Sequence, residues 1–296
     1  MTLAVTRHSE QRPRVAAHIV VGTGRHCCPS CVVAAHHVPC NTCHYCLSGH
    51  HTVCDTLRRT NFDPGGLAEY LRLPAINVDR GVFLLPDGMS YQEATFIEPV
   101  ACVLRGLRKA KLRPGDTVLV IGSGIAGLLF VQLAKALGAG RIIATDISDF
   151  RLEKARSFGA ETTLCAEEDI PALLRQVNQG RLADVVVVST GAASAQLQAL
   201  KSVERSGTIL FFAPTAPGVT IPVSINEFFF RNDITLTTSY AGAPADYQTA
   251  LELIRGGSLP VKEMITHVLP LAEAGKGFQL VAEAKDSIKV IIEPQK

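Results

Sequence analysis

Residues 117–137 constrain the fold most, because a strand, a glycine-rich turn and a helix follow one another there. The β-branched run Thr117–Ile121 leads into a G-x-G-x-x-G motif at residues 122–127, and helical spacing continues to residue 137. The first glycine permits a tight turn, the second lets the backbone approach a pyrophosphate, and the third lets the helix pack closely on the strand. Free N–H groups at the helix N-terminus attract phosphate. The motif therefore predicts a dinucleotide site.

A carboxylate follows at the position that would contact the adenine-side ribose. The second strand ends at Asp146, nineteen residues after Gly127. A carboxylate there binds the ribose diol and repels a 2′-phosphate, which favours NAD over NADP. Arg151 lies close enough in sequence to weaken that preference, although its simpler interpretation is a solvated helix residue. The residues predicted to bind the dinucleotide here are Gly122, Gly124, Ile125, Ala126, Gly127, Asp146 and Arg151.

Four cysteines stand within fifteen residues in the spacing C-x2-C-x2-C-x7-C, at Cys40, Cys43, Cys46 and Cys54. Thiolates at this spacing can surround a tetrahedral ion from one loop, and Zn²⁺ is the ion that suits four sulfur ligands. A site closed by four protein ligands is structural, so it fixes the loop and reveals no reaction. A disulfide pair, unliganded thiols and an iron–sulfur cluster are the alternatives.

Composition excludes several classes of function. The 296 residues, 47% hydrophobic and 19% charged, suffice for about two domains with buried cores. The net charge of +2 is spread along the chain without a basic block, so a nucleic-acid partner is not expected. No apolar run approaches membrane-spanning length, and the first thirty residues do not resemble a signal peptide. Nine cysteines without a targeting signal predict a reducing, cytoplasmic compartment.

The chain changes character near residue 90. Residues 1–90 are rich in loops, with predicted strands at 14–21, 67–73 and 81–85. Further strands at 117–121, 141–145, 184–189 and 208–212 alternate with helix-length stretches, which predicts an α/β fold with a doubly wound parallel sheet. Ser90 and Glu93 form a capping box at a helix start, and Pro99 predicts the end of one helix and the start of another. A helix at 246–255 and a last strand at 288–292 complete the pattern.

The order of these motifs resembles the zinc-containing medium-chain alcohol dehydrogenases, nearest to their sorbitol and threonine dehydrogenase-like branch. The resemblance covers residues 33–296 and rests on the four cysteines, Glu98-Pro99, Pro114-Gly115-Asp116 and the glycine motif, in that order. It implies an incomplete GroES-like catalytic domain at residues 1–97, a Rossmann NAD-binding domain at 98–239, and a segment at 240–296 that returns to the first domain.

The resemblance also implies a reaction. Family members transfer a hydride between an alcohol and NAD, with a catalytic zinc polarising the oxygen, which suggests a secondary alcohol or polyol as substrate. Glu98 would be a ligand or near-ligand of that zinc, whereas the residues alone indicate a first-turn carboxylate favoured by the helix dipole. Relatives usually form dimers or tetramers. The pairs that follow two later strands, at the sheet edge where ligands bind, would flank the nicotinamide: Thr190, Gly191, Phe212 and Ala213.

The N-terminus departs from the family pattern. Relatives carry a Cys-Gly pair and then a Gly-His-Glu motif before the zinc loop, and residues 1–39 contain neither. One hypothesis is a truncated start read partly in another frame. Its rival is a divergent N-terminus in which Cys27, Cys28 or Cys31 supplies ligands. Two functions follow: a zinc-dependent NAD oxidoreductase impaired by lost ligands, or a catalytically silent protein that binds dinucleotide and zinc.

Overall fold

The computed structural model describes residues 19–23 and 31–294. They form two compact units. The first holds the described residues up to Cys102 and from Ala241 onward, and the second is Val103–Tyr240. Within the described part of the chain, the helices are too short or too polar to cross a membrane.

The two units together contain eleven described strands and eleven described α-helices. The strands are β1 (Ile19–Thr23), β2 (Cys31–Ala35), β3 (Val82–Leu84), β4 (Thr117–Ile121), β5 (Arg141–Asp146), β6 (Thr162–Cys165), β7 (Ala183–Val188), β8 (Val203–Phe211), β9 (Thr235–Thr238), β10 (Ile265–Pro270) and β11 (Lys289–Glu293). The helices are α1 (His44–Leu47), α2 (Asp55–Arg59), α3 (Ala75–Gly81), α4 (Tyr91–Ala94), α5 (Ile97–Lys109), α6 (Ile125–Ala136), α7 (Asp149–Ser157), α8 (Ile170–Val177), α9 (Ala193–Ser202), α10 (Pro244–Arg255) and α11 (Ala274–Glu283).

The second unit is built on one parallel sheet of six strands in the order β6-β5-β4-β7-β8-β9. Its central strand β4 is buried at all five positions, as expected for an apolar run covered by helices on both faces. The strand order changes direction between β4 and β7, and ligands of such sheets bind beyond the carboxyl ends of the strands at that point. The predicted doubly wound α/β fold is confirmed.

The first unit has two small sheets. Strands β1, β2 and β3 form an antiparallel sheet, and β10 and β11 form a parallel pair. Helix α11 packs on that pair, where Gly277 brings the helix close to Val290 and Ile292. The predicted strand at 14–21 lies largely outside the described residues, and the part that is described belongs to β1.

Three local predictions differ from the structure. Residues 67–73 do not form a strand. The segment holds isolated bridge positions at Ala68 and at Arg72, which pairs with Asp63, and Pro64 next to Asp63 has no N–H to extend a ladder. Pro99 does not separate two helices. It lies in the first turn of α5, where its missing N–H removes no helical hydrogen bond. Strands β2, β6, β9 and β10 were not predicted. The capping box of Ser90 and Glu93 is confirmed.

Candidate functional site

The four thiols of the cysteine loop converge on one point. Sulfur–sulfur distances are 4.0 Å for Cys40 and Cys46, 3.6 Å for Cys43 and Cys46, and 3.7 Å for Cys40 and Cys54. All four Sγ atoms lie within 4.8 Å of one another. A tetrahedron of Zn–S bonds of about 2.3 Å places its sulfurs about 3.8 Å apart, so this donor set fits zinc.

Backbone N–H groups donate to two of the four sulfurs, those of Cys40 and Cys54. The N–H groups of Thr42 and Cys43 point to Cys40 Sγ at 3.4 and 3.2 Å, and the N–H of Cys40 points to Cys54 Sγ at 3.4 Å. The Thr42 side chain and the N–H groups of Thr42 and Cys43 lower the pKa of the Cys40 thiol to about 5. Burial raises the pKa of Cys46 to about 12. Zinc would bind all four as thiolates and release the remaining protons.

Arg80 forms hydrogen bonds with the backbone where the chain enters the cysteine loop. Its Nη1 donates to the carbonyl oxygen of Pro39 at 3.2 Å and also to that of Cys40. Arg80 lies at the end of α3, so this helix fixes the strand-to-loop connection.

The glycine turn between β4 and α6 has the geometry that the motif predicts. Gly122 has φ +92°, a conformation that favours glycine. A Cβ on Gly127 would lie 1.9 Å from the carbonyl oxygen of Gly122, so no side chain fits there. Gly124 caps α6, and no atom lies within 4 Å of its Cβ position. The turn therefore leaves room for a phosphate beside the N–H groups that open α6 at Ile125 and Ala126.

Asp146 is tied to the glycine turn. Its Oδ2 accepts from the N–H of Ser123 at 2.8 Å, and its Oδ1 accepts from the N–H of Ser148 at 3.0 Å. Arg151 Nη1 lies 3.8 Å from Oδ2. Only 6% of Asp146 is exposed. Each carboxylate oxygen has a second lone pair, so both can still accept from a ribose hydroxyl.

A cavity of about 260 Å³ joins the turn to the carboxylate. Five predicted residues line it: Gly122, Gly124, Asp146, Arg151 and Thr190. Ser189 and Gln198 also line it and were not predicted. Ser189 Oγ donates to the carbonyl oxygen of Ile121 at 3.0 Å, and Gln198 Nε2 donates to that of Ala166 at 3.0 Å. Both are polar residues next to apolar strands or on an amphipathic helix, which is too common a pattern to single them out.

The other predicted residues of this unit lie at the same sheet edge but outside that cavity. The N–H groups of Phe212 and Ala213 both donate to the carbonyl oxygen of Val188, at 3.0 and 3.1 Å. These two residues line a second cavity of about 520 Å³ together with Tyr240. A Cβ on Gly191 would lie 2.7 Å from the carbonyl oxygen of Pro214, so the chain passes there too closely for a side chain.

Glu98 has different surroundings from the thiolate loop. It lies in the first turn of α5, is partly exposed, and its Oε1 accepts from Cys102 Sγ at 3.2 Å. Burial raises the pKa of Glu98, while Cys102 and the charge of Lys289 act in the opposite direction. Only 2% of Lys289 is exposed, and burial lowers its pKa to about 7 against the attraction of Glu98.

The described residues around Glu98 do not form a donor set for a catalytic zinc. Such sites generally use three protein ligands, and the one donor that the described part of the chain places on Glu98 is the Cys102 thiol. Within residues 19–23 and 31–294, the thiolate loop is the one group of three or more potential ligands close enough to hold a metal. Cys31 is exposed with its sulfur 3.0 Å from the Tyr91 hydroxyl, and Cys27 and Cys28 lie outside the described residues.

Comparisons with known proteins identify the family of the chain. Residues 126–256 match the family described as zinc-binding dehydrogenase. The chain is 33% identical over 270 residues to the erythritol/L-threitol dehydrogenase of Mycolicibacterium smegmatis, covering 89% of this chain and 72% of that protein. It is 29% identical over 263 residues to the sorbitol dehydrogenase of Bacillus subtilis, covering 88% and 72%. The solved alcohol dehydrogenase of Thermus sp. ATN1 matches 97% of this chain and 94% of its own, with a TM-score of 0.81 and 27% identity.

Proposed function

The chain belongs to the zinc-dependent alcohol dehydrogenase family of oxidoreductases, and we propose from this premise that its reaction is hydride transfer between a secondary alcohol or polyol and NAD. The relatives named for erythritol, L-threitol and sorbitol support a polyol or a related secondary alcohol. A bound nicotinamide dinucleotide supplies the hydride acceptor or donor.

The observation that carries the proposal is the placement of Asp146 in the cavity beside the glycine turn. Asp146 would accept hydrogen bonds from the ribose diol and repel a 2′-phosphate, which supports NAD as the preferred cofactor. The N–H groups that open α6 would bind the pyrophosphate. Arg151 lies 3.8 Å from Asp146 and weakens the repulsion without removing it. Thr190 would lie towards the nicotinamide end of the site.

Two titrations and one assay test the proposal. NADH and NADPH are titrated separately against the 296-residue chain, with nucleotide fluorescence as the signal. We expect NADH to bind more tightly. A panel of secondary alcohols and polyols is then assayed with NAD by the absorbance of NADH. Equal or tighter binding of NADPH contradicts the assignment of Asp146, and oxidation of a panel member above the enzyme-free rate supports the reaction.

A second candidate function is binding of dinucleotide and zinc without turnover. The described surroundings of Glu98 favour it, because within residues 19–23 and 31–294 the thiolate loop is the one set of three or more potential metal ligands. The same assay separates the candidates: tight NADH binding with no oxidation of any panel member supports the second. The described cysteines are all free thiols, which supports a reducing, cytoplasmic setting, and the family favours a homo-oligomer.

A further inference from the structure

The cavity that holds Asp146 continues beyond this carboxylate, on the side away from the glycine turn. Ala166 lies there, directly after β6, and its N–H donates to the carbonyl oxygen of Asp146 at 3.0 Å. Because the strand order is β6-β5-β4, the turn after β4 and the segment after β6 lie on opposite sides of Asp146. A dinucleotide with its pyrophosphate at the turn and its ribose on Asp146 therefore directs its base towards Ala166.

Apolar side chains line this part of the cavity. Ile147 directly follows Asp146 and is 76% exposed, although it is a large apolar residue. Ala195 lines the cavity from α9. A purine ring is flat and apolar on both faces, so its binding here would remove apolar surface from water.

Gln198 supplies a polar group beside this apolar surface. It lies one turn after Ala195 on the same face of α9, and its Nε2 donates to the carbonyl oxygen of Ala166 at 3.0 Å. A carbonyl oxygen can only accept, so this bond determines which end of the side-chain amide is the nitrogen. Among residues 19–23 and 31–294, neither Oε1 nor the second N–H of Nε2 has a hydrogen-bond partner.

We propose that Gln198 recognises the base of the bound dinucleotide and selects a 6-aminopurine, adenine, over a 6-oxopurine. Its Oε1 accepts from the 6-amino group, and the second N–H of Nε2 donates to the neighbouring ring nitrogen, a pairing typical of glutamine with adenine. A 6-oxo group would instead place an acceptor against Oε1, and neither oxygen would regain the hydrogen bond that it loses from water.

The bond to Ala166 makes this selection rigid. Turning the amide of Gln198 to suit a 6-oxo group would place Oε1 against the carbonyl oxygen of Ala166, where two acceptors meet. The inference rests on the proposed function, because it requires the dinucleotide to bind in the cavity beside Asp146.

The first test uses the unaltered 296-residue chain with NADH and with its hypoxanthine analogue, which carries an oxygen in place of the 6-amino group. Each is titrated separately, with nucleotide fluorescence as the signal. We expect NADH to bind roughly 10- to 100-fold more tightly, as is typical of a contact made by two hydrogen bonds to a base edge. Equal affinities would overturn the inference and leave the proposed NAD site in place. Binding of neither nucleotide would contradict the proposed function, and this inference with it.

The second test replaces the side chain. Gln198→Met keeps the length of the side chain and removes its polar atoms, so the affinity for NADH should fall about tenfold while that for the hypoxanthine analogue changes little. The ratio of NADH to NADPH affinity should stay the same, because both nucleotides carry adenine. An equal loss of NADH and of the analogue would overturn the inference, since it would show that Gln198 only supports the backbone at Ala166.

Two further variants complete the test. Gln176→Met is the matched control: Gln176 is an exposed glutamine of α8 outside the cavity, and its replacement should leave every affinity unchanged. If Gln198→Met does not fold, Gln198→Asn takes its place. Its amide is one methylene shorter and cannot reach both Ala166 and the base, so the preference for NADH over the hypoxanthine analogue should again fall towards one. A preference that persists in Gln198→Asn would overturn the inference.

Discussion

The thiolate loop and the surroundings of Glu98 are the two places in the first unit where the sequence suggests a metal ion, and they differ in completeness. The loop brings four sulfurs within 4.8 Å of one another from fifteen consecutive residues. At Glu98 one carboxylate accepts from a thiol of the same helix, Cys102, at 3.2 Å. The first donor set fits zinc, whereas the described residues at the second are too few for a zinc site.

The difference follows from how each site is assembled. The ligands of the loop are separated by two, two and seven residues, so a short stretch of chain carries the whole site. The family's catalytic zinc would need ligands from segments far apart in sequence. Within residues 19–23 and 31–294, no two further ligand atoms lie close enough to Glu98 to complete such a site. A local site therefore survives changes elsewhere in the chain, whereas a site assembled from several segments does not.

The largest effect is expected when one thiolate is removed. Cys43→Ser should abolish retained zinc and loosen residues 40–54, because structural zinc stabilises the loop that it closes. NADH binding should persist, since the residues that line the nucleotide cavity all belong to Val103–Tyr240. Elemental analysis, limited proteolysis of the loop and an NADH titration measure the three outcomes.

Cys165→Ser is the matched control for that variant, because Cys165 is a free thiol outside the cluster and its loss should leave zinc content unchanged. Loss of NADH binding together with zinc in Cys43→Ser would show that the loop supports the nucleotide unit. Unaltered protein purified without chelators and found to contain no zinc would contradict the four-thiolate site itself.

Local motifs could be predicted from the sequence because short-range geometry determines them. The loop spacing sets the sulfur positions, and the glycine spacing sets the turn at Gly122 and the close packing at Gly127. Asp146 was predicted at the end of the second strand, and it lines the cavity beside the turn.

Contacts between distant segments could not be predicted in the same way. Lys289 donates to Thr95 across 194 positions of the chain, and no periodic pattern links the two. The only signal is a lysine inside the apolar run 288–292, which indicates a buried cation without indicating its partner. The wrong prediction of a strand at 67–73 has the same cause. A strand depends on a neighbouring strand, and local composition does not reveal that neighbour.

The next largest effect concerns the local site of the second unit. Asp146→Ala should weaken NADH binding about 10- to 100-fold, as expected for loss of hydrogen bonds to a charged group. The affinity for NADPH should fall less, because Asp146→Ala also removes the repulsion between the carboxylate and the 2′-phosphate. The ratio of the two dissociation constants is the measurement, and it should fall towards one. An unchanged ratio of the two dissociation constants would contradict the assignment of Asp146 to the ribose site.

Two variants control for charge and for folding. Asp149→Ala removes an exposed carboxylate three residues further on, outside the cavity, and should leave the ratio unchanged. Asp146→Asn keeps an oxygen that can accept from the N–H of Ser123 or Ser148, so it should fold better than the alanine variant. Both asparagine and alanine at this position should lose the preference for NADH.

A smaller effect on zinc affinity is expected from replacing Arg80, which hydrogen-bonds the backbone at the start of the thiolate loop. Arg80→Met removes two hydrogen bonds to the carbonyl oxygens of Pro39 and Cys40 and leaves every ligand in place. Zinc affinity should fall about tenfold, as is typical of partners that hold a metal loop in position. Competition with a chromogenic chelator measures it. Arg72→Met, which breaks an exposed ion pair with Asp63, is the control and should have no effect.

The smallest effect is expected for Glu204, a carboxylate of the second unit that lies outside the thiolate loop and the surroundings of Glu98. Its replacement tests whether this charge stabilises the second unit. Glu204 accepts from the N–H of Leu182 at 2.9 Å and from that of Arg205 at 2.9 Å. The Leu182 bond contributes most to lowering the pKa of Glu204 below 4.5. Its stabilisation is therefore complete above pH 4.5 and is lost as pH falls through the lower pKa of the folded protein. Glu204→Gln should cost about 1 kcal/mol of unfolding free energy at pH 7 and progressively less in acid. Urea midpoints of both proteins from pH 7 to pH 3 measure the difference, and a constant gap across that range would contradict the assigned role of the carboxylate.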